Sequence, residues 1–263
     1  MINDSNQQVR GTVDIVVLID VSGSMQACID AVKKSVSSFI NFMTTADANN
    51  SSPIEDWRMK VVGYRDYERT DHEWFVDAPF ARDVASIETQ LAAPSMQAIG
   101  GGDEPESLLD ALFKIASMGE AGIQDGEDAN LWRPRGKAAR AVVFFTDATF
   151  KLEMSLPEAK GGQIQEVINR LLAAKVILCG LHPEWSGYES LGSQEKAKLT
   201  TIASTADFPA IAGLGSKVKA EADAAQKAAV EALRAKVNNT DIFIKILEQL
   251  ARTLSKSVHV EKA

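Results

Sequence analysis

The stretch from Asp14 to Met25, Asp-Ile-Val-Val-Leu-Ile-Asp-Val-Ser-Gly-Ser-Met, constrains the fold more than any other part of the chain. Residues 15–19 form an unbroken β-branched and leucine run, which is typical of a strand buried on both faces of a parallel sheet. A polar turn follows at Asp20, and from Met25 onward apolar residues recur every three or four positions, as in a helix. The stretch therefore predicts a strand, turn and helix unit of an open α/β sheet, with polar groups at the carboxyl end of the strand.

The polar turn carries three oxygen donors, namely the carboxylate of Asp20 and the hydroxyls of Ser22 and Ser24. Oxygen donors spaced two residues apart on a tight turn can converge on one hard cation such as Mg²⁺. The alternative is that Ser24 caps the following helix and that Asp20 only ends the strand. The donor pattern alone leaves both interpretations open.

The apolar run, Gly23 in the turn and Met25 after the second serine together resemble the metal-ion-dependent adhesion site of von Willebrand factor A (vWA) domains. The resemblance extends over about residues 13–212 and includes the helix from residue 241. It implies an α/β fold of the vWA or Rossmann-like kind: a doubly wound, mostly parallel six-stranded sheet with one short antiparallel edge strand and helices on both faces. It also implies a bound divalent cation, for which Mg²⁺ is the expected ion and Mn²⁺ or Ca²⁺ are the alternatives.

The rest of the chain alternates strand patterns with helical patterns, as a doubly wound sheet requires. Apolar runs predict further strands at residues 57–64, 141–146, 176–181 and 207–212, and a short antiparallel strand at residues 74–76. Helical patterns cover residues 83–91, 108–118, 163–174 and 195–203. The polar segments 44–56 and 119–137 are predicted to be irregular, and we expect the acidic cluster at 125–128 to be solvated.

A glycine-rich acidic loop, Gly-Gly-Gly-Asp-Glu-Pro-Glu at residues 100–106, is the second candidate contributor to the site. Three glycines let the backbone pass close to another group. A similar loop occurs in a subset of vWA domains, at the position where many relatives place a threonine ligand, and this resemblance implies that Asp103 binds the ion. The alternative is that Asp103, Glu104 and Glu106 provide only helix N-terminal charges and a capping box, with Pro105 in the first turn. Which acidic side chain completes the site stays open.

Another carboxylate follows the buried strand pattern at residues 141–146, where Asp147 ends the apolar run. Asp20 and Asp147 would then flank the place where the strand order reverses, which is where open α/β sheets bind ligands. In vWA domains the matching Phe-Thr-Asp-Ala segment supplies the last member of the site, often through water. The resemblance therefore implies one set of metal ligands: Asp20, Ser22, Ser24, Asp103 and Asp147.

The acidic composition of the chain argues against several classes of partner. A net charge of -8 and a pI near 5.0 disfavour a nucleic-acid or anionic-membrane surface. No stretch approaches the roughly 18 apolar residues of a membrane span, and residues 1–12 are polar without a signal-peptide core, so we expect a flexible N-terminus and a cytoplasmic protein. Cys28 and Cys179 are expected to be buried thiols rather than a disulfide or a metal pair.

The C-terminal part contains two helical patterns of different character. Residues 216–237 are rich in Ala, Lys and Glu with a weakly apolar stripe, and they predict a helical addition to the domain. Residues 242–254 carry a much more apolar face of Ile, Phe and Leu, so we expect this helix to cover the sheet. Residues 13–258 would form the vWA domain, and residues 259–263 a short tail.

No catalytic motif accompanies the predicted site in the sequence, which favours binding over catalysis: there is no nucleophile elbow, no phosphate loop and no histidine beside a nucleophile. The resemblance to vWA domains implies that an Asp or Glu side chain of a protein partner is captured through the cation. An alternative is a Mg²⁺-dependent phosphohydrolase of the haloacid-dehalogenase type, although such enzymes need a second Asp where Ser22 stands. A structural scaffold with a vacant metal site is a third interpretation.

Overall fold

The computed structural model describes residues 11–46, 53–69, 71–100, 105–122, 128–182, 185–193 and 240–260. In these ranges the chain has an α/β fold built on one mixed sheet. The strands are β1 (Thr12–Asp20), β2 (Asp56–Tyr64), β3 (Phe75–Asp77), β4 (Ala139–Phe145) and β5 (Val176–Leu181). The helices are α1 (Gln26–Thr44), α2 (Val84–Ala92), α3 (Leu108–Ala116), α4 (Ile164–Ala174), α5 (Ser186–Gly192) and α6 (Thr240–Val260).

β1 lies at the centre of the sheet, whose strand order is β3-β2-β1-β4-β5. It pairs in parallel with both β2 and β4, and β5 extends the parallel part beside β4. Only the short edge strand β3 is antiparallel, where it pairs with the end of β2. All nine residues of β1 are buried, which confirms the central strand predicted from the apolar run at residues 15–19.

Helices cover both faces of the sheet, because alternate residues of each strand point to opposite sides. The odd-numbered apolar residues of β1 pack with α1, α2 and α6 in one core. Val16 and Leu18 pack with α3, α4 and α5 in the other. α6 packs against α1 and also contacts β5, so the apolar helix predicted at residues 242–254 covers part of this face of the sheet, as expected.

Several boundaries differ from the predictions. The sheet has five strands over the described residues rather than six, because the predicted strand at 207–212 lies outside them, as do the predicted helices at 195–203 and 216–237. β1 begins at Thr12, inside the segment predicted to be flexible, and α6 continues to Val260, inside the predicted tail. Among the described helices, none has the length and apolarity needed to cross a membrane.

The segment before β4 is irregular, as predicted, but its polar composition did not indicate that it joins the core. Trp132 is fully buried, and its indole N–H donates to the carbonyl oxygen of Ile115 in α3 at 3.2 Å. Arg133 is also buried, with its guanidinium Nε 2.6 Å from the carboxylate of Asp14 in β1. A buried tryptophan and a buried ion pair therefore hold this segment against the sheet.

Candidate functional site

Two carboxylates lie at the carboxyl ends of the neighbouring parallel strands β1 and β4. Asp20 is the last residue of β1, and Asp147 follows β4 by two residues. The chain leaves β1 through α1 on one face of the sheet and reaches β4 from α3 on the other face. The site therefore lies at the switch point of the sheet, where open α/β folds form a crevice.

Asp20 is fully buried, and both of its carboxylate oxygens accept hydrogen bonds. The backbone N–H of Ser22 donates to Oδ1 at 2.9 Å, and the Thr146 hydroxyl donates to Oδ2 at 2.8 Å. Burial raises the pKa of Asp20, because the charged form loses its hydration, and this effect exceeds the opposing effects of the hydrogen bonds from Ser22 and Thr146 and of Arg65. A cation bound beside this carboxylate would stabilise its charged form.

Ser24 joins the two strand ends, since its hydroxyl donates to Oδ1 of Asp147 at 2.9 Å. Asp147 is buried, and Ser22 is buried beside Asp20. Neither the short 3₁₀ turn Gly23–Met25 nor α1 has a side-chain cap at its start, so the alternative prediction that Ser24 caps the helix is wrong. The structure thus brings together the four described members of the predicted set, in two hydrogen-bonded pairs.

Asp103 and Glu104 lie outside the described residues, so Glu106 is the described acidic residue of the glycine-rich loop. Glu106 is buried and lines a small cavity together with Ser22. Its backbone is held by the segment after Asp147, with the N–H donating to the carbonyl oxygen of Thr149 at 3.1 Å. α3 begins only at Leu108, so the predicted capping box that included Glu106 is wrong.

Gly100, the first glycine of the glycine-rich loop, lies directly over the turn that follows β1. A Cβ atom added at Gly23 would lie 2.1 Å from the carbonyl oxygen of Gly100, which has φ +77°. The N–H of Ile99 donates to the carbonyl oxygen of Val21 at 3.1 Å. Two glycines are therefore required for this close approach, as the glycine run predicted.

Two residues near Asp20 were not expected from the sequence. Arg65 follows β2 and lines the same small cavity as Ser22 and Glu106. Its guanidinium is fixed by the carbonyl oxygens of residues 73, 95 and 97 at 2.8 to 3.0 Å. Burial lowers the pKa of Arg65, while the nearby charges of Asp20 and Glu106 oppose that change. The second unexpected residue is Thr146, and the only sequence feature that could have indicated it is its position directly before Asp147.

The donor atoms of the site suit a hard divalent cation, because the described ones are two carboxylates and two hydroxyls and none is nitrogen or sulfur. Within the ranges that the structure describes, no group of three or more His, Cys, Asp and Glu side chains could hold a metal ion. The described part of the candidate site therefore differs from an all-carboxylate centre, and a cation held there would need the hydroxyls of Ser22 and Ser24 as ligands.

The fold and the site together define an α/β protein with a mixed sheet and an oxygen-lined crevice at its switch point.

No family model matches the sequence, and no curated protein matches it. Similar solved structures include two of proximal thread matrix protein 1 (PTMP1) from the mussel byssus. One, crystal form 2, is 13% identical over 68% of this chain and 41% of that chain, with a TM-score of 0.43. The other is 16% identical over 85% of this chain and 47% of that chain, with a TM-score of 0.45. The chain spans less than half the length of either structure.

Proposed function

We propose that the chain is a vWA-type domain, with a sixth strand at residues 207–212, and that it binds a protein partner through a divalent cation. The observation that carries this proposal is the environment of Asp20. It is fully buried, yet among the described residues no Lys or Arg lies within ion-pair distance of its carboxylate. Asp14, fully buried on the same face of the same strand, receives two arginines. A buried carboxylate without an ion-pair partner is unfavourable in its charged form, and a bound cation would compensate that charge.

Each residue would have a distinct role. Asp20 would provide the central carboxylate, oriented by Thr146 and by the N–H of Ser22. Ser24 and Asp147 would provide oxygens from the two sides of the crevice. Mg²⁺ in this position would neutralise the two carboxylates and keep a coordination position for one oxygen of a partner's Asp or Glu. The proposal includes Asp103 as a further ligand, with Mn²⁺ or Ca²⁺ as substitutes for Mg²⁺, and assigns no catalytic activity to the chain.

Calorimetric titration of the metal-free protein with Mn²⁺ tests the site. Asp20→Asn keeps the size of the side chain but removes its charge, so we expect Mn²⁺ affinity to fall by more than about tenfold. Asp83→Asn is the matched control, because Asp83 is an exposed helix cap where Asn serves about as well. Equal Mn²⁺ affinity in the wild type and Asp20→Asn would reject the site.

The same titration identifies the acidic residue that completes the site. If Asp103 is a ligand, Asp103→Asn should weaken Mn²⁺ binding without loss of metal-free stability. If Glu106 is the ligand instead, Glu106→Gln should have that effect, since its carboxylate lies beside Ser22. Unchanged affinity in both variants would mean that neither binds the ion.

Capture of a carboxylate is tested on the Mn²⁺-loaded protein, with acetate as the probe. Acetate that occupies a coordination position displaces water, so the Mn²⁺-enhanced relaxation of water protons should fall saturably as acetate is added. Acetamide, which has nearly the same shape and no charge, is the control. Equal effects of acetate and acetamide would leave a metal site but contradict its use in binding an acidic partner.

A further inference from the structure

A cleft of about 740 Å³ lies on the sheet face covered by α3 and α4, away from the proposed metal site. Val16 of β1 forms part of its floor and is four residues before Asp20, which places the cleft about 13 Å from that carboxylate along the strand. The volume is in the range of small-molecule sites. Much of the lining is apolar: Val16, Val62, Phe75, Phe113, Ile115 and Met118.

Lys60 brings a charge to the floor of this cleft. It lies in the middle of β2, opposite Val16, and its side chain is only 2% exposed. Its Nζ is 2.6 Å from Oδ1 of Asp77, 3.8 Å from the sulfur of Met118 and 5.1 Å from the ring centroid of Phe80. An ammonium has three N–H donors, while these contacts provide one strong acceptor and one weak one. Lys60 therefore keeps a donor for a ligand in the cleft.

Lys114 places a second ammonium on the same side of the cleft. It projects from α3, with Nζ 4.8 Å from the ring centroid of Phe75 and 5.5 Å from that of Trp74. Among the described residues, no carboxylate lies within ion-pair distance of Lys114. Glu158 and Glu166 line the cleft from the other side, on α4 and the turn before it. Lys60 and Lys114 outnumber Asp77, the carboxylate of β3 that pairs with Lys60, so the β3 side of the cleft keeps a net positive charge.

We propose that this cleft binds a small amphipathic carboxylate. Its carboxylate would accept hydrogen bonds from Lys60 and Lys114, and its apolar part would lie against Val16, Val62 and Ile115. The two lysine ammonium groups can neutralise a single carboxylate and donate hydrogen bonds to its two oxygens, each acting as a point charge. Among the described residues that line the cleft, Arg170 is the arginine; it belongs to the α4 side, and its Nε already donates to the Ser117 hydroxyl at 2.8 Å.

Octanoate is the probe, titrated calorimetrically in the presence of EDTA so that no divalent cation can bind its carboxylate. We expect saturable binding at one site. Octanol and octylammonium, which share the alkyl chain, should bind at least about tenfold more weakly, because each charge-assisted hydrogen bond is worth roughly one factor of ten. Asp20→Asn should bind octanoate as the wild type does, which separates this proposal from the metal-dependent function.

The lysine variants locate the binding. Lys114→Gln changes an exposed side chain and should fold normally, and we expect about tenfold weaker octanoate binding. Lys60→Met should weaken binding at least as much. Lys137→Gln, an exposed lysine outside the cleft, is the matched control and should bind as the wild type does. The proposal would be overturned if octanoate did not bind saturably, or if octanol bound as tightly as octanoate. It would also be overturned if Lys114→Gln bound octanoate with unchanged affinity, whether or not Lys60→Met folds.

Discussion

Replacing Asp14 by Asn should destabilise the fold more than any other single carboxylate-to-amide change that we consider. Asp14 is fully buried, directly opposite Arg58 in the parallel pairing of β1 and β2. Four donors reach its two oxygens: Nε and Nη2 of Arg58 at 3.0 and 2.6 Å, and Nε and the backbone N–H of Arg133 at 2.6 and 2.7 Å. Asn would leave two buried guanidinium charges without this carboxylate.

The expected loss is about 3–5 kcal/mol in the free energy of unfolding, the usual cost of removing one partner from a buried ion pair. Both arginines keep some acceptors. Arg58 still donates to the carbonyl oxygens of Asp128 and Leu131, and Arg133 to that of Val13 and to Asp56. Arg133 thus keeps an ion pair with Asp56, whereas Arg58 is left with the two carbonyl oxygens. The total stability of a domain is typically only about 5–15 kcal/mol. Asp14→Asn should therefore be close to the limit of folding.

Urea unfolding followed by tryptophan fluorescence measures this loss, since fully buried Trp132 precedes Arg133 and reports on the same segment. Asp83→Asn is the control, with an expected change below about 0.5 kcal/mol for an exposed cap. A loss of less than about 1 kcal/mol in Asp14→Asn, with an unchanged slope, would refute our account of how the segment before β4 is held to the sheet.

Three further predictions concern other buried groups. Burial raises the pKa of Asp110 above that of the unfolded chain, so the free energy of unfolding falls as pH rises from about 4 through the raised pKa. Asp110→Asn should remove that fall in urea unfolding, and the same pH dependence in the variant and the wild type would contradict this account. Gly23→Ala should cost about 1–3 kcal/mol because its Cβ would meet a backbone oxygen, whereas Gly136→Ala, with open space around it, should be nearly neutral in the same assay. Burial raises the pKa of Cys179 to about 12 and that of Cys28 well above its usual range. Iodoacetamide at pH 8, followed by mass spectrometry, should therefore modify neither thiol in the native protein and both thiols in urea. Fast modification of the native protein would show that a thiol is accessible.

The central strands were predictable because their residues need burial on both faces. The apolar runs at residues 15–19 and 141–146 correspond to the buried parts of β1 and β4, and the short antiparallel edge strand was predicted within one residue of β3. For β1 and β4 a local pattern is sufficient, since a run of apolar, largely β-branched residues is typical of a strand covered on both sides. Helix α5, in contrast, was missed: it is seven residues long and has little amphipathic pattern.

The polar contacts could not be read from local patterns. Arg133 pairs with Asp14 across 119 residues of sequence, and Ser24 with Asp147 across 123. In the sequence Lys60 is one of several charged residues of β2, and only the fold places it at the floor of a cleft. Spacing along the chain identifies donors on one turn, but it contains no information about which distant turn lies beside them.

The sequence by itself determined the α/β class, the central strand and the turn that carries Asp20, Ser22 and Ser24, because strand burial and turn chemistry depend on neighbouring residues. Only the tertiary structure decided that Ser24 bonds to Asp147 rather than capping α1, and that Asp14 receives two arginines while Asp20 receives none within ion-pair distance among the described residues. The physical reason is that a buried charge is stabilised or destabilised by the groups around it in space. Those groups come from strands and loops that only the folded sheet brings together.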